Sequence, residues 1–144
     1  MARSRQGDGP GRGGRASTDR TEDTAAVTDD RLGIGLAAVA RPAYINAGRA
    51  RDLGTERDPE QLEQRTWAVL DAAVAAGIRY IDVARSYGLA EQFLASWLQA
   101  RPGVAVEVGS KWGYRYVGGW QMDASTHEVK DHSLAAFLRQ HEQT

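Results

Sequence analysis

Asp82, Tyr87 and Lys111 are the residues of this chain whose types and placement could move a proton. Asp82 falls inside the apolar run Tyr80-Ile81-Asp82-Val83-Ala84, and Tyr87 stands just past its end in Arg85-Ser86-Tyr87-Gly88. A carboxylate within such a run is costly to bury without a charged or hydrogen-bonding partner. The next stretch with strand character, Val104 to Ser110, runs into Lys111, which supplies a partner of the right sign. Carboxylate, ammonium and phenol converging at the ends of neighbouring strands make a proton-transfer arrangement. The plainer reading of Asp82 and Lys111 alone is an ion pair that ties two strands together. Tyr87 and the residues around it tip the balance toward chemistry.

These side chains need strands laid side by side, and the surrounding sequence supplies them. Arg31 to Ala40 reads as a first strand, with Gly33 and Gly35 two apart. Glycines inside a strand mark a bulge or a close approach by another group, here either packing or a ligand. They do not form a dinucleotide fingerprint, because no third glycine opens a helix. A long loop, Arg41 to Arg57, follows and carries Tyr44 and Asn46. Asp58-Pro59-Glu60-Gln61 is a helix start, with Asp58 as N-cap and Pro59 at the first helical position. Leu62, Thr66, Val69, Leu70, Ala73 and Val74 share one helical face, Trp67 reads as packing, and Gly77 is placed to end the helix.

The strand with Asp82 comes next. A second helix begins just after Gly88, with Glu91 in its first turn and Phe93, Leu94, Trp97 and Leu98 on its buried face, and Arg101-Pro102-Gly103 ends it. In the third strand Val104, Val106 and Val108 alternate with Ala105, Glu107 and Gly109, so Glu107 has the parity of Lys111. Pointing inward, Glu107 needs Arg79 or another charge as partner, unless the register is shifted by one. A second long loop, Trp112 to Ala124, holds Trp112, Tyr114, Tyr116 and Trp120. Ser125 to Glu128 resembles a capping box, and Val129, Ser133, Leu134, Phe137 and Leu138 support a third helix, with His127, His132 and His141 on it or at its frayed end.

Strand then helix, three times over, with strands apolar on both sides, predicts an α/β fold of parallel strands under helical cover. Long loops after the strands and minimal turns before them match a (β/α)8 TIM barrel, whose active site is built from the loops after the strands. A complete barrel takes about 250 residues, so the chain holds about the first three of eight units.

Composition narrows the setting. The 144 residues are 42% hydrophobic and 26% charged, with a net charge of −1 that gives no global attraction to nucleic acid or membrane. The absence of cysteine excludes disulfides and thiolate metal sites and fits a cytoplasmic protein. No apolar run approaches the roughly 18 residues of a membrane helix. Residues 1–30 lack Leu, Ile and aromatic side chains and read as a disordered tail, leaving 31–144 as the folded part.

Taken together, Gly33-Ile34-Gly35, Leu70-Asp71-Ala72-Ala73 to Gly77-Ile78-Arg79, Tyr80-Ile81-Asp82 to Ser86-Tyr87-Gly88 with Glu91, and Gly109-Ser110-Lys111 with Trp112-Gly113-Tyr114 resemble the N-terminal portion of an aldo/keto reductase, over roughly residues 31 to 140. The resemblance implies reduction of an aldehyde or ketone, or the reverse oxidation, with NADPH and without metal. It assigns Asp82, Tyr87 and Lys111 to three of the family's four catalytic positions. Tyr87 is then the proton donor. A phenol, whose proton ordinarily leaves at a pH of about 10, is a poor acid at neutrality. A nearby ammonium favours the phenolate, the role implied for Lys111, which Asp82 holds and charge-balances. Gly35 and Leu36, with Asp82, match positions beside the cofactor, and Tyr44, Trp112, Tyr114 and Trp120 lie on loops expected to line a pocket for a small carbonyl substrate.

The family's fourth catalytic residue is a histidine at the end of the fourth strand, and none of the three histidines here matches it. Most residues that grip the cofactor belong to the family's C-terminal half. The expectation is therefore a truncated reductase with little turnover alone, completed by a C-terminal fragment or self-associating through open sheet edges. The alternative is a non-catalytic interaction module that binds a partner chain. A Schiff-base role for Lys111 ranks below both, since a lysine paired with Asp82 stays protonated.

Overall fold

Asp58 opens the first helix by accepting a hydrogen bond from the Gln61 N–H (3.0 Å), ahead of Pro59 at the first helical position. The computed structural model describes residues 32–43 and 57–144. The expected tail and the positions of Tyr44 and Asn46 lie outside the described residues. Helix α1 (Pro59–Ala75) buries Leu62, Thr66, Leu70 and Ala73, the face read from its spacing. Gly77 then takes φ +91°, while Ile78 N–H reaches Ala73 O and Gly77 N–H reaches Val74 O, both at 3.0 Å. This is the Schellman closure that only a residue free of Cβ makes without cost. The Arg79 guanidinium covers the last carbonyls of the turn, donating to Val74 O (2.7 Å) and Ile78 O (2.9 Å).

Strands β1 (Gly33–Gly35), β2 (Tyr80–Asp82) and β3 (Glu107–Gly109) pair in parallel in that order, as the α/β reading required. They are shorter than the apolar runs suggested, yet hydrogen bonding continues past them: Leu36 N–H to Asp82 O (3.0 Å), Val83 N–H to Gly109 O (2.9 Å) and Arg85 N–H to Lys111 O (3.1 Å). One row across the sheet reads Gly33–Tyr80–Glu107 and another Gly35–Asp82–Gly109. The parity argument for β3 therefore holds. Glu107 shares the face of Tyr80 and Asp82 but is exposed there, and Arg79 is engaged with α1 instead.

Helix α2 (Ala90–Ala100) covers the other face of the sheet with Ala90, Phe93, Leu94 and Trp97. These join Leu36, Leu62, Leu70, Ile81 and Val83 in one core. Each such large side chain contributes about 1.5–3 kcal/mol by leaving water. Trp67 has the packing role expected, its indole N–H directed at Phe93 O (3.2 Å).

The chain departs from expectation after β3. Instead of a long loop running into a helix near Ser125, β4 (Tyr114–Tyr116) pairs antiparallel with β5 (Glu128–Lys130). Helix α3 (Leu134–Gln143) begins later, capped by the Ser133 hydroxyl, which accepts from Ala136 N–H (3.1 Å). Tyr114-Arg115-Tyr116, bounded by Gly118-Gly119, is a strand-and-turn signal, and β-branched Val129 suits the partner strand better than a helix. The buried side of α3 also differs from the apolar face read in the sequence: Ala136 and Gln140 are buried, whereas Leu134 is 72% exposed. Gln140 explains this. Its amide accepts from Gly113 N–H (2.8 Å) and donates to Tyr114 O (2.9 Å), so the helix is fixed to the start of the hairpin through a polar clamp. His127 precedes β5 and His132 lies between β5 and α3, neither on the helix surface; His141 is on α3.

Candidate active site

Asp82 ends β2, and Lys111 stands two residues beyond its neighbour Gly109 in β3. Parallel pairing thus brings both to the same rim of the sheet. The Lys111 ammonium donates to the Asp82 carboxylate and to Val83 O (2.8 Å). It also stands 4.8 Å from the centre of the Tyr87 ring. Burial alone would lower the lysine pKa. The hydrogen bond to the Asp82 carboxylate, with the nearby Tyr87 oxygen and the carboxylate's charge, outweighs that and holds Lys111 above its ordinary value. The three residues singled out from sequence are therefore together, with Lys111 in the middle.

Asp82 shares its row with Gly35 and Gly109, but only the Gly35 side leaves room for the carboxylate, because the Tyr80 hydroxyl fills the space over Gly109. A Cβ on Gly35 would lie 3.7 Å from Asp82 Oδ2, so the oxygen not used by Lys111 faces bare backbone. In the row below, the Tyr80 ring lies across the sheet close to Gly33, where a Cβ would come within 2.7 Å of it. The first-strand glycines thus divide: Gly33 makes way for packing and Gly35 opens onto Asp82. Leu36, expected beside a cofactor, has its side chain fully buried in the core and its N–H on Asp82 O, so only its backbone adjoins the site.

Tyr87 is set by a turn docked on the segment after β1. Tyr87 N–H bonds Ala84 O (3.0 Å), and Leu89 N–H bonds Ala40 O (3.0 Å). Gly88 between them has φ +64°, and a Cβ there would meet Ala40 O at 2.6 Å and Arg41 Cβ at 2.8 Å. Arg41, read in the sequence only as the first residue of a loop, is 1% exposed. Its guanidinium donates to Ala37 O (3.0 Å) and Ser86 O (3.2 Å), pairs with Glu128 of β5, and lies 5.5 Å from the centre of the Tyr87 ring. Neither partner announced itself: one arginine in an alanine-rich loop and one glutamate forty-odd positions past Tyr87 look like surface residues. Glu91 also gains a role. It pairs with Arg85 and accepts from Ser110 Oγ (2.5 Å), joining α2 to the exit of β3.

Of the pocket aromatics, Trp112 and Tyr114 gather around His132, with ring centres 5.4 and 5.9 Å from it, and Trp112 also meets Phe137 edge-on at 5.0 Å. A shallow hollow lined by Ser110, Lys111, Trp112, Phe137 and His141 opens beside them. Trp120 is committed elsewhere, packing against the core with its indole N–H on Arg57 O (2.8 Å). Tyr44 falls outside the described residues. Tyr116 Oη and His127 Nδ1 are buried with no hydrogen-bond partner among the described residues, and burial raises the Tyr116 phenol above its ordinary value. Among the described residues no group of three or more His, Asp and Glu side chains is arranged to hold a metal, and no helix is long and apolar enough to cross a membrane.

Comparison with known proteins gives the family. A profile of the aldo/keto reductase family matches residues 45–141. A D-threo-aldose 1-dehydrogenase from a Pseudomonas species is 45% identical over 100 residues, 68% of this chain. The chain spans only 26% of that relative's length. Two solved structures assigned as aldo-keto reductases from Pseudomonas aeruginosa superpose with a TM-score of 0.51 each, at 26% and 25% identity. Each match covers 78% of this chain and 36% or 34% of the other.

Proposed function

The chain belongs to the aldo/keto reductase family, and from that premise we propose that it carries the proton-transfer end of an NADPH-dependent carbonyl reductase, with Tyr87 as the proton donor. The observation that supports this most is Lys111 held between Asp82 and Tyr87. As a substrate carbonyl is reduced, Tyr87 gives its phenolic proton to the carbonyl oxygen. The Lys111 ammonium offsets the negative charge that builds on the phenol oxygen, and Asp82 keeps the ammonium in place. Run backwards, the same phenol oxygen takes the proton of an alcohol.

The residues present fit one end of a nicotinamide cofactor: Gly35 gives an open backbone face beside Asp82 Oδ2, and the Leu36 backbone adjoins it. Such a cofactor, when bound, supplies the hydride that the carbonyl carbon receives. The remaining contacts, and the histidine that is the fourth catalytic residue, would come from further β/α units, in a cytoplasmic setting. Trp112 and Tyr114 present exposed aromatic faces at the rim, suited to an apolar carbonyl or to the C–H face of a sugar. The aldose dehydrogenase relative favours the second.

The test is to titrate the 144-residue chain with NADPH, following cofactor fluorescence, then repeat with the remaining β/α units supplied as a second chain or a fusion. The completed protein should bind NADPH and turn over an aldehyde or aldose; Tyr87→Phe should lose the turnover and keep the binding. Full turnover in Tyr87→Phe removes the reading. The outer positions of β1 and β3 in the described sheet favour a second reading, a module that recruits a partner chain by strand addition. A stable complex with the remaining units but no cofactor binding would decide for it.

A further inference from the structure

We propose that Arg41 is a positioning residue for Tyr87, and that through Glu128 it couples the order of the acid to the β4–β5 hairpin beside the substrate rim. The inference rests on the reading of Tyr87 as the proton donor. Tyr87 lies between two cations, Lys111 at 4.8 Å and Arg41 at 5.5 Å from its ring centre. Lys111 is half exposed and bound to Asp82, whereas Arg41 is buried and its fork reaches three separate segments. One arm bonds Ala37 O after β1, another bonds Ser86 O immediately before Tyr87, and the charge is met by Glu128 in β5. An arginine has the planar donors for such a junction; lysine, a single point of charge, can satisfy only part of it. Gly88 presses the other side of the turn against Ala40 and Arg41, so the ring has its place fixed from the backbone and from the guanidinium together. Glu128 pairs with Tyr116 across the hairpin, in the same two-stranded unit that carries Tyr114. A substrate that orders the hairpin would therefore tighten Glu128 on Arg41, and with it the seat of Tyr87.

The test uses the full chain and needs no turnover. The Tyr87 ring carbon resonance, assigned with Tyr87→Phe, is followed with amide hydrogen exchange at Tyr87, Leu89, Val117 and Asp131. In Arg41→Met the resonance moves and all four amides exchange at least about tenfold faster, while α1 amides stay within about twofold. Arg41→Lys restores the ring resonance by returning a cation to the ring face, yet leaves Val117 and Asp131 unprotected. An unmoved resonance in folded Arg41→Met, or no restoration by lysine, overturns the proposal. Should Arg41→Met not fold, Glu128→Gln keeps the arginine and the shape: a loosened hairpin with a displaced Tyr87 resonance supports the coupling, and a loosened hairpin with Tyr87 unmoved overturns it. Loss of the Tyr87→Phe phenotype in the completed protein would remove the proton-donor reading while leaving these signals as they are.

Discussion

Lys111 stands over the Tyr87 ring while the Asp82 carboxylate, one strand away, holds the same ammonium. This relationship follows from two local facts. Parallel pairing of Asp82 with Gly109 sets the strand ends level, and two further residues carry Lys111 over the rim. The turn from Val83 to Gly88 then folds Tyr87 back toward it, bonded to Ala84 and seated on Arg41. An ion pair would need only the first fact; the second brings a phenol to it.

Removing the phenol oxygen should separate chemistry from binding. In the protein completed with the remaining β/α units, Tyr87→Phe should lower kcat by about 10²–10⁴, the usual range for a general acid. NADPH affinity should change little, because the ring and its packing remain. Steady-state NADPH consumption and a fluorescence titration check the two halves. Equal loss of both would mean that Tyr87 shapes the site and does not donate.

The Lys111–Asp82 pair should leave a mark on stability at high pH. The lysine pKa is raised above its usual 10.5 in the folded chain. Its contribution is therefore fully present below about 10.5, the unfolded value, and fades as pH rises through the higher folded value. Urea unfolding of the wild type and Lys111→Met between pH 8 and 12 should show a gap that is constant at first and closes at the alkaline end. A gap that is flat across that range would contradict the assignment.

The elements legible in the sequence were those with a local signature. Asp58-Pro59 and Gly77 marked α1 at both ends, and the Tyr80–Asp82 and β3 runs fixed both the parallel order and the parity of Glu107. Asp82 and Lys111 were readable because each stands at or just past a strand end, and Tyr87 because it lies in the short turn that follows one. Arg41 and Glu128 were not, since their meaning lies in a contact across 87 positions that no spacing rule encodes. The hairpin was missed for a different reason. Ser125 to Glu128 satisfied the capping pattern, but Ser133 is the cap used, and the aromatic alternation at Tyr114 to Tyr116 carried the stronger β preference.

On the far side of the core, Asp71 offers an acid-side counterpart. Its carboxyl is held below the usual range chiefly by Arg101, against some burial cost, with help from the Trp97 indole N–H at 3.0 Å. Arg101 also lies over both Trp67 and Trp97, 4.8 and 5.2 Å from their centres. A depressed carboxyl stabilises the fold above its unfolded value of 3.8, and the gain is lost as pH falls through the lower folded value. Asp71→Asn should cost under about 1 kcal/mol at neutral pH, as the pair is solvent-screened. The difference should vanish near pH 2 when unfolding is followed by tryptophan fluorescence.

Gly88 and Gly35 should respond to alanine in opposite ways, and the contrast tests how the site is built. At Gly88 the backbone is left-handed, a conformation that costs other residues about 1–2 kcal/mol. The added carbon would also press on Ala40 O at 2.6 Å, a backbone atom with no freedom to withdraw. Overpacking of that kind adds about 1–3 kcal/mol, so Gly88→Ala should lose about 2–5 kcal/mol in all and displace the Tyr87 turn. At Gly35 the new carbon would be in ordinary contact, 3.7 Å from Asp82 Oδ2, on extended backbone. Gly35→Ala should therefore melt within about 1 kcal/mol of the wild type, since alanine also restricts the unfolded chain. It should nevertheless weaken NADPH binding in the completed protein, because it covers the open face beside Asp82. Thermal unfolding and a cofactor titration of both variants make the comparison. A Gly35→Ala protein that binds NADPH as tightly as the wild type would remove this strand end from the cofactor site.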